Sequence, residues 1–124
     1  MFGCIVAGVA KTDTAQGAAK AAIDLAERNG AALHLVIAVA KSDPGAREDG
    51  EAFLSSLTTL DDVHQHVIPG DPGDAILMVA AEVNADLIVV GNKGMRGARR
   101  VLGSVPNKVA HGTDASILIV DSTG

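Results

Sequence analysis

The sequence of 124 residues predicts a single α/β domain, residues 1–124, built on a doubly wound parallel sheet of five strands with helices on both faces. Two observations predict this class. Short apolar runs alternate with segments of helical periodicity in the order βαβαβαβαβ, and most of the runs lack the polar alternation of a half-exposed strand. Because βαβ crossovers are right-handed, this order favours a doubly wound sheet, with the strands arranged 3-2-1-4-5.

Residues that start or stop a helix separate the predicted elements. Thr12 or Asp13 can cap the first helix, and Gly30 stands just past its end. Gly70-Asp71-Pro72 supplies a turn, an N-cap and a helix-starting proline for the third helix. The predicted strands are residues 2–9, 32–40, 64–68 (an edge strand of mixed polarity), 86–90 and 116–120; the helices are 14–29, 51–60, 72–83 and 104–111, with a loop at 41–50.

Composition excludes several classes of partner. The net charge of −5 disfavours a nucleic-acid backbone, and the only aromatic residues, Phe2 and Phe53, leave no platform for stacked bases. No apolar run approaches the roughly 18 residues of a membrane span, and no signal peptide is evident. Cys4 is the only cysteine, in an apolar run typical of a buried strand, so no internal disulfide can form. We therefore expect a soluble, cytoplasmic protein that binds neither nucleic acid nor membrane.

A glycine-rich segment, residues 91–104, follows the most strand-like run of the chain and precedes a helix start. Ser104 is the predicted N-cap of that helix, and Pro106 lies in its first turn. Glycines let backbone N–H groups approach a ligand, and a helix N-terminus adds partial positive charge. In a doubly wound sheet, ligands bind where the winding reverses, here between the first and fourth strands. The segment therefore predicts an anion site, most simply for phosphate.

The segment does not match the two common phosphate-binding motifs. No G-x-x-x-x-G-K-[ST] string is present, which excludes a P-loop. The dinucleotide fingerprint belongs after the first strand, where this chain has Gly8-Val9-Ala10-Lys11-Thr12-Asp13 instead. Neither NAD binding nor Walker-type ATP hydrolysis is indicated.

The segment resembles the universal stress protein family, whose members carry G-x2-G-x9-G-[ST] after the fourth strand and hold the phosphates of ATP with it. Gly91, Gly94, Gly103 and Ser104 occupy the corresponding places. Eight residues separate Gly94 from Gly103, one fewer than in the family pattern, and Ala10 stands where nucleotide-binding members usually have Asp. The resemblance implies ATP or AMP, with or without Mg²⁺, and a homodimer formed through the fifth strands, here Ser116 to Val120.

The resemblance also implies where the rest of the nucleotide binds: backbone groups after the first strand and at the end of the second meet the base, which points to Val9 and Val39. Arg96, Arg99 and Arg100 either pair with phosphates or form a solvated helical face, and both interpretations stay open. The candidate cofactor-binding residues are Val9, Ala10, Val39, Gly91, Gly94, Arg96, Gly103, Ser104 and Val105.

No catalytic or metal site is predicted. Ser104 lacks the G-x-S-x-G elbow and a nearby base that a nucleophile needs. His64 and His66, two apart on one strand face, can chelate, but no third ligand is evident in the sequence. The favoured hypothesis is an adenine-nucleotide-binding module that acts in stress response or signalling. The alternatives are a slow ATP hydrolase and a nucleotide-free interaction module.

Overall fold

The structure, a computed structural model, describes residues 2–10, 16–57, 62–92 and 102–121 of the chain. Within these ranges, five strands alternate with four helices in the predicted order. The strands are β1 Cys4–Val9, β2 Ala32–Val39, β3 Val63–Pro69, β4 Leu87–Asn92 and β5 Ser116–Asp121; the helices are α1 Gln16–Asn29, α2 Ala46–Ser56, α3 Pro72–Val83 and α4 Ser104–Gly112.

The strands form one sheet of order β3-β2-β1-β4-β5 in which every pairing is parallel. This confirms the predicted fold class and places β3 at an edge, as its mixed polarity indicated. In the register, Val6 of β1 lies beside His34 of β2 and Ile88 of β4. All carboxyl ends of the strands therefore meet at one edge of the sheet, and all amino ends at the other.

Helices cover both faces of the sheet, and each face has its own apolar cluster. On one face, α1 and α2 pack over a cluster that includes Ile5, Leu35 and Leu54. On the opposite face, α3 and α4 pack over a cluster that includes Ile88 and Val109. None of the described helices is long and apolar enough to cross a membrane.

The second helix differs from its prediction. Residues 41–50 were expected to form a loop, yet α2 begins at Ala46 and ends at Ser56 rather than at residue 60. Gly50, which suggested a loop, is buried in this helix because α2 approaches the sheet closely: a Cβ there would lie 3.0 Å from Val67 Cγ1 and 3.3 Å from Ile37 Cγ2. The glycine therefore marks tight packing of a helix on a sheet and not a break in the chain.

The third helix starts as predicted. Asp71 is its N-cap and accepts a hydrogen bond from the Asp74 N–H at 2.9 Å, and Pro72 follows in the first turn. Gly70 has a φ of 121°, a conformation that favours glycine. At the end of α1, Gly30 adopts a φ of 62°, as a helix-terminating glycine should. The predicted caps of α1 at its start, Thr12 or Asp13, lie outside the described residues.

The fourth helix corrects one prediction. Its N-cap is Gly103, in an extended conformation, and Ser104 is the first helical residue. The Gly103 carbonyl accepts the Asn107 N–H at 3.1 Å, which is the first hydrogen bond of the helix, and this bond defines the cap position. Gly112 is the last residue of the helix, as expected near a helix end.

Candidate functional site

The candidate site lies at the carboxyl edge of the sheet, where the winding direction reverses between β1 and β4. The helix after β1 packs on one face of the sheet, while the helix after β4 packs on the other. The chain therefore diverges at this point, and in doubly wound sheets such a divergence provides the crevice in which a ligand binds. This is the position that the topology of a doubly wound fold provides for a ligand.

Three of the residues expected near a base lie at the ends of the two central strands. Val9 is the last residue of β1 and is buried, and Ala10, directly after it, is exposed. Val39 is the last residue of β2, and its carbonyl accepts the Gly70 N–H at 2.9 Å. The carbonyl of Val39 is thus already used to fix the turn between β3 and α3.

The two ends of the glycine-rich segment are joined by a side chain that the sequence analysis did not single out. Asn92, the last residue of β4, is 5 % exposed, and its Oδ1 accepts the Gly103 N–H at 2.7 Å. This bond ties the end of β4 to the N-cap of α4. An asparagine directly after Gly91 was the available signal, since a short amide side chain at a strand end commonly bonds nearby backbone groups.

The remaining predicted residues of the segment fall into two groups. Gly91 lies within β4 and pairs with Val120 of β5, while Ser104 is exposed and Val105 is partly buried in the first turn of α4. Gly94 and Arg96, like the other basic residues of the segment, lie outside the described residues. The structure therefore positions the two ends of the segment and the helix start.

An ion-pair cluster links α4 to the start of α3 beside this edge. Lys108 Nζ lies 3.0 Å from Asp71 Oδ2 and 2.8 Å from Asp74 Oδ1. The Asp74 N–H, followed by the Lys108 ammonium, lowers the pKa of Asp71, and the two carboxylates raise the pKa of Lys108. All three side chains are well exposed, so the cluster contributes more to the relative position of the two helices than to stability.

At the opposite edge, the structure changes the interpretation of the histidines. His64 and His66 share a strand face as expected, but His34 of β2 lies against both: its Nδ1 is 2.9 Å from His66 Nε2. Three of the four histidines of the chain are therefore brought together. Among the residues that the structure describes, no three His, Cys, Asp or Glu side chains are arranged to hold a metal ion.

These features define a doubly wound α/β domain, a fold in which ligands bind at the carboxyl edge where the winding direction reverses, here between β1 and β4. The family model of the universal stress proteins matches residues 1–121. The chain belongs to the universal stress protein family.

Individual relatives agree with this assignment. The universal stress protein Rv1636 of Mycobacterium tuberculosis is 45 % identical over 62 residues, which are 49 % of this chain and 42 % of that protein. A universal stress protein homologue of Coxiella burnetii is 35 % identical over 71 residues, 57 % of this chain and 49 % of that protein. The matched stretches thus span less than half the length of these relatives.

Solved structures match over nearly the whole chain. A universal stress protein crystallised in complex with cAMP is 26 % identical, with a TM-score of 0.75 and 98 % of both chains covered. The UspA protein of Lactobacillus plantarum, 21 % identical, has a TM-score of 0.77 over 95 % of this chain and 97 % of that one. The similarity to the Lactobacillus plantarum protein shows a common fold and nothing more.

Proposed function

We propose that this chain binds an adenine nucleotide, ATP or AMP, at the carboxyl edge of its sheet and acts as a cytoplasmic homodimer in stress response or signalling. The main support for this proposal is the hydrogen bond that the Gly103 N–H donates to Asn92 Oδ1. Because this bond holds the start of α4 against the end of β4, the first turn of the helix has a fixed position beside the crevice.

The first turn of α4 has the chemistry that a phosphate needs. The backbone N–H groups at the start of a helix lack intrahelical partners, and the helix dipole favours negative charge there. The first turn carries no acidic residue that would compete, and the hydroxyl of Ser104 is exposed beside these donors. In this proposal Gly103, Ser104 and Val105 face the phosphates, together with Gly91, Gly94 and Arg96.

The base and ribose would lie on the other side of the crevice. Family resemblance assigns this region to Val9, Ala10 and Val39, which end or follow the two neighbouring strands β1 and β2. Ala10 offers no carboxylate to the ribose, so we expect the affinity to depend mainly on the phosphate contacts. The relative crystallised with cAMP, at 26 % identity, supports an adenine nucleotide as the ligand class.

The proposed dimer uses β5, from Ser116 to Val120. This strand is at the edge of the sheet, and Leu118 is 37 % exposed on it. An apolar edge strand invites pairing with another strand, and a second copy of the chain would cover it. A Leu118→Lys variant should then shift the protein from dimer to monomer in analytical ultracentrifugation, whereas Met78→Lys, on exposed α3 surface, should not.

Isothermal titration with ATP and with AMP tests nucleotide binding directly. The Gly103→Val, Ser104→Ala double variant should lose most of the affinity, because a Cβ at position 103 would lie 3.1 Å from Asn92 Oδ1 and because the hydroxyl is removed. Asn107→Ala, an exposed position later in the same helix, is the matched control and should bind normally. No measurable binding by the wild type, or equal binding by the double variant, would refute the proposal.

The same samples separate binding from hydrolysis. Chromatography of the nucleotide after incubation should recover it unchanged, since the sequence predicts no catalytic residue. Turnover well above that of the double variant would instead identify the protein as a slow ATP hydrolase. The absence of both binding and any nucleotide-induced rise in Tm would favour a nucleotide-free interaction module.

A further inference from the structure

The amino edge of the sheet carries a cluster of three imidazole rings that the proposed function does not use. His34 on β2 is the direct register partner of His64 on β3, and His66 follows two residues later on the same face. The rings of His34 and His64 are stacked, with centroids 4.5 Å apart, and those of His34 and His66 are 5.1 Å apart. The cluster therefore spans the pairing between the edge strand and its only neighbour in the sheet.

The surroundings of the cluster are mostly uncharged. His34 is only 9 % exposed, with Val6 of β1 beside it, while His66 is half-buried and His64 is exposed. Glu82 of α3 lies beyond ion-pair distance from His66. Its negative charge nevertheless favours the protonated form of that ring. On the same face of β1, burial raises the pKa of Cys4, so this thiol stays neutral wherever histidines titrate.

The geometry limits how many positive charges the three rings can carry at once. The 2.9 Å contact from His34 Nδ1 to His66 Nε2 requires one nitrogen to donate and the other to accept. Two neutral rings, or one neutral and one protonated ring, satisfy this requirement, but two protonated rings would place N–H against N–H. A charge on His64 would add a like charge directly opposite His34, which weakens a strand pairing.

We propose that His34, His64 and His66 form a proton-sensitive clasp that holds the edge strand β3 on β2 while the three rings together carry at most one positive charge, and that mild acid releases this strand. In the unfolded chain the same three rings are free to take up three protons. At acid pH the unfolded chain therefore binds more protons than the folded protein does, and this difference lowers the free energy of unfolding.

The direction of the effect follows from the titration of the buried rings. Burial, and then the proximity of the other rings, lowers the pKa of His34, and burial and His64 lower the pKa of His66. A lowered pKa means that the unfolded state binds more protons below about pH 6.5, so stability is complete above that pH and declines as the pH falls. Each excess proton changes the folding equilibrium constant about tenfold per pH unit.

The first test compares urea unfolding from pH 8 to pH 5, with EDTA present so that no stray metal ion binds the rings. The wild type should lose stability below about pH 6.5. The double variant His34→Asn, His66→Gln keeps an amide near each interacting nitrogen but cannot titrate at these two positions. Because the two excess protons of the unfolded chain are then removed, the folding equilibrium constant should change less steeply with pH, by up to about a hundredfold per pH unit. His111→Asn, at an exposed histidine of α4 that also contacts a backbone carbonyl, is the matched control and should follow the wild type.

The second test locates the effect and needs only the wild type. Amide hydrogen exchange, corrected for its intrinsic pH dependence, should show that Val63–Pro69 loses protection at pH 5.5 before Cys4–Val9 or Leu87–Asn92 does. Imidazole NMR signals should show His34 and His66 titrating below the ordinary histidine range. Equal slopes in wild type and double variant, ordinary independent titration of His34 and His66, or simultaneous loss of protection in every strand would each overturn the clasp.

Discussion

The two edges of the sheet are built in different ways. At the carboxyl edge, the phosphate part of the candidate nucleotide site relies on backbone groups, glycines and a helix start that come from one contiguous segment, with Asn92 bonded to Gly103. At the amino edge, the histidine clasp relies on side chains from two strands that only the sheet register brings together. A site built from the backbone of one segment is therefore visible in the local sequence pattern. A site built from side chains that the strand register brings together is not.

The largest effect should come from the core that both edges share. Ile88, the second residue of β4, is fully buried, and Ile88→Ala should lower the free energy of unfolding by about 2–5 kcal/mol, because it removes apolar contacts and leaves a cavity. Urea denaturation at pH 7.5 measures this loss. Met78→Ala, 44 % exposed on α3, should change the stability by only about 0.5 kcal/mol. A loss of similar size in both variants would mean that the two edges do not depend on a common core.

The second effect isolates the carboxyl edge. Asn92→Ala removes the buried acceptor of the Gly103 N–H and should cost about 1–3 kcal/mol of stability, with a further loss of nucleotide affinity. Denaturation and calorimetry together measure the two losses. Asn107→Ala, the same change on the exposed surface of α4, should alter neither. If Asn92→Ala lowered stability but bound nucleotide as well as the wild type does, the fixed helix start would not matter for binding.

A smaller effect distinguishes a helix cap from an ion pair at the same edge. Asp71→Ala removes both the N-cap of α3 and one partner of Lys108, whereas Asp74→Ala removes only the other partner of Lys108. The Tm should therefore fall by a few degrees in the first variant and hardly at all in the second. Equal shifts would show that the ion pairs, and not the cap, stabilise this helix start.

The smallest expected effect separates Asp86 from the histidine clasp, both near the amino edge, by the pH range in which each changes the stability. Asp86 accepts the Gly3 N–H at 2.8 Å and the Cys4 N–H at 3.2 Å, and the first of these bonds contributes most to lowering its pKa. The stabilisation is therefore present above the ordinary Asp pKa of about 3.9 and is lost as the pH falls through the lowered value. An Asp86→Asn variant should be less pH-dependent than the wild type below pH 4 and parallel to it between pH 5 and pH 7. A difference in the upper range would implicate Asp86 in the histidine transition.

Local signals predicted much of the carboxyl edge. Gly70, Asp71 and Pro72 each have a conformational or capping preference that acts within a few residues, and the structure places them in those roles. The order of the elements followed from periodicity alone, and the strand order agrees with the family resemblance. These features depend on neighbours along the chain, which a sequence shows directly.

The predictions that were wrong or incomplete concern features that depend on residues far apart in the sequence. Gly50 suggested a loop because its contacts with Ile37 and Val67, on two other strands, are invisible in the local pattern. His34 was separated from His64 and His66 because nothing nearby in the chain specifies the register of β2 and β3. Ser104 is one position from the cap, Gly103, whose N–H is bonded to Asn92, a contact between residues eleven positions apart that the local pattern does not show.

The bond between Asn92 and Gly103 has a consequence for how this segment can change in length. It joins Asn92 to Gly103, the residues on either side of 93–102, so we expect these anchor points to keep their positions when a residue is inserted between them or deleted. The entropy of closing a loop changes only slowly with its length. A segment one residue shorter than the family pattern is thus compatible with an unshifted helix start, and this stretch is a natural place to exchange sequence between relatives without rebuilding the fold.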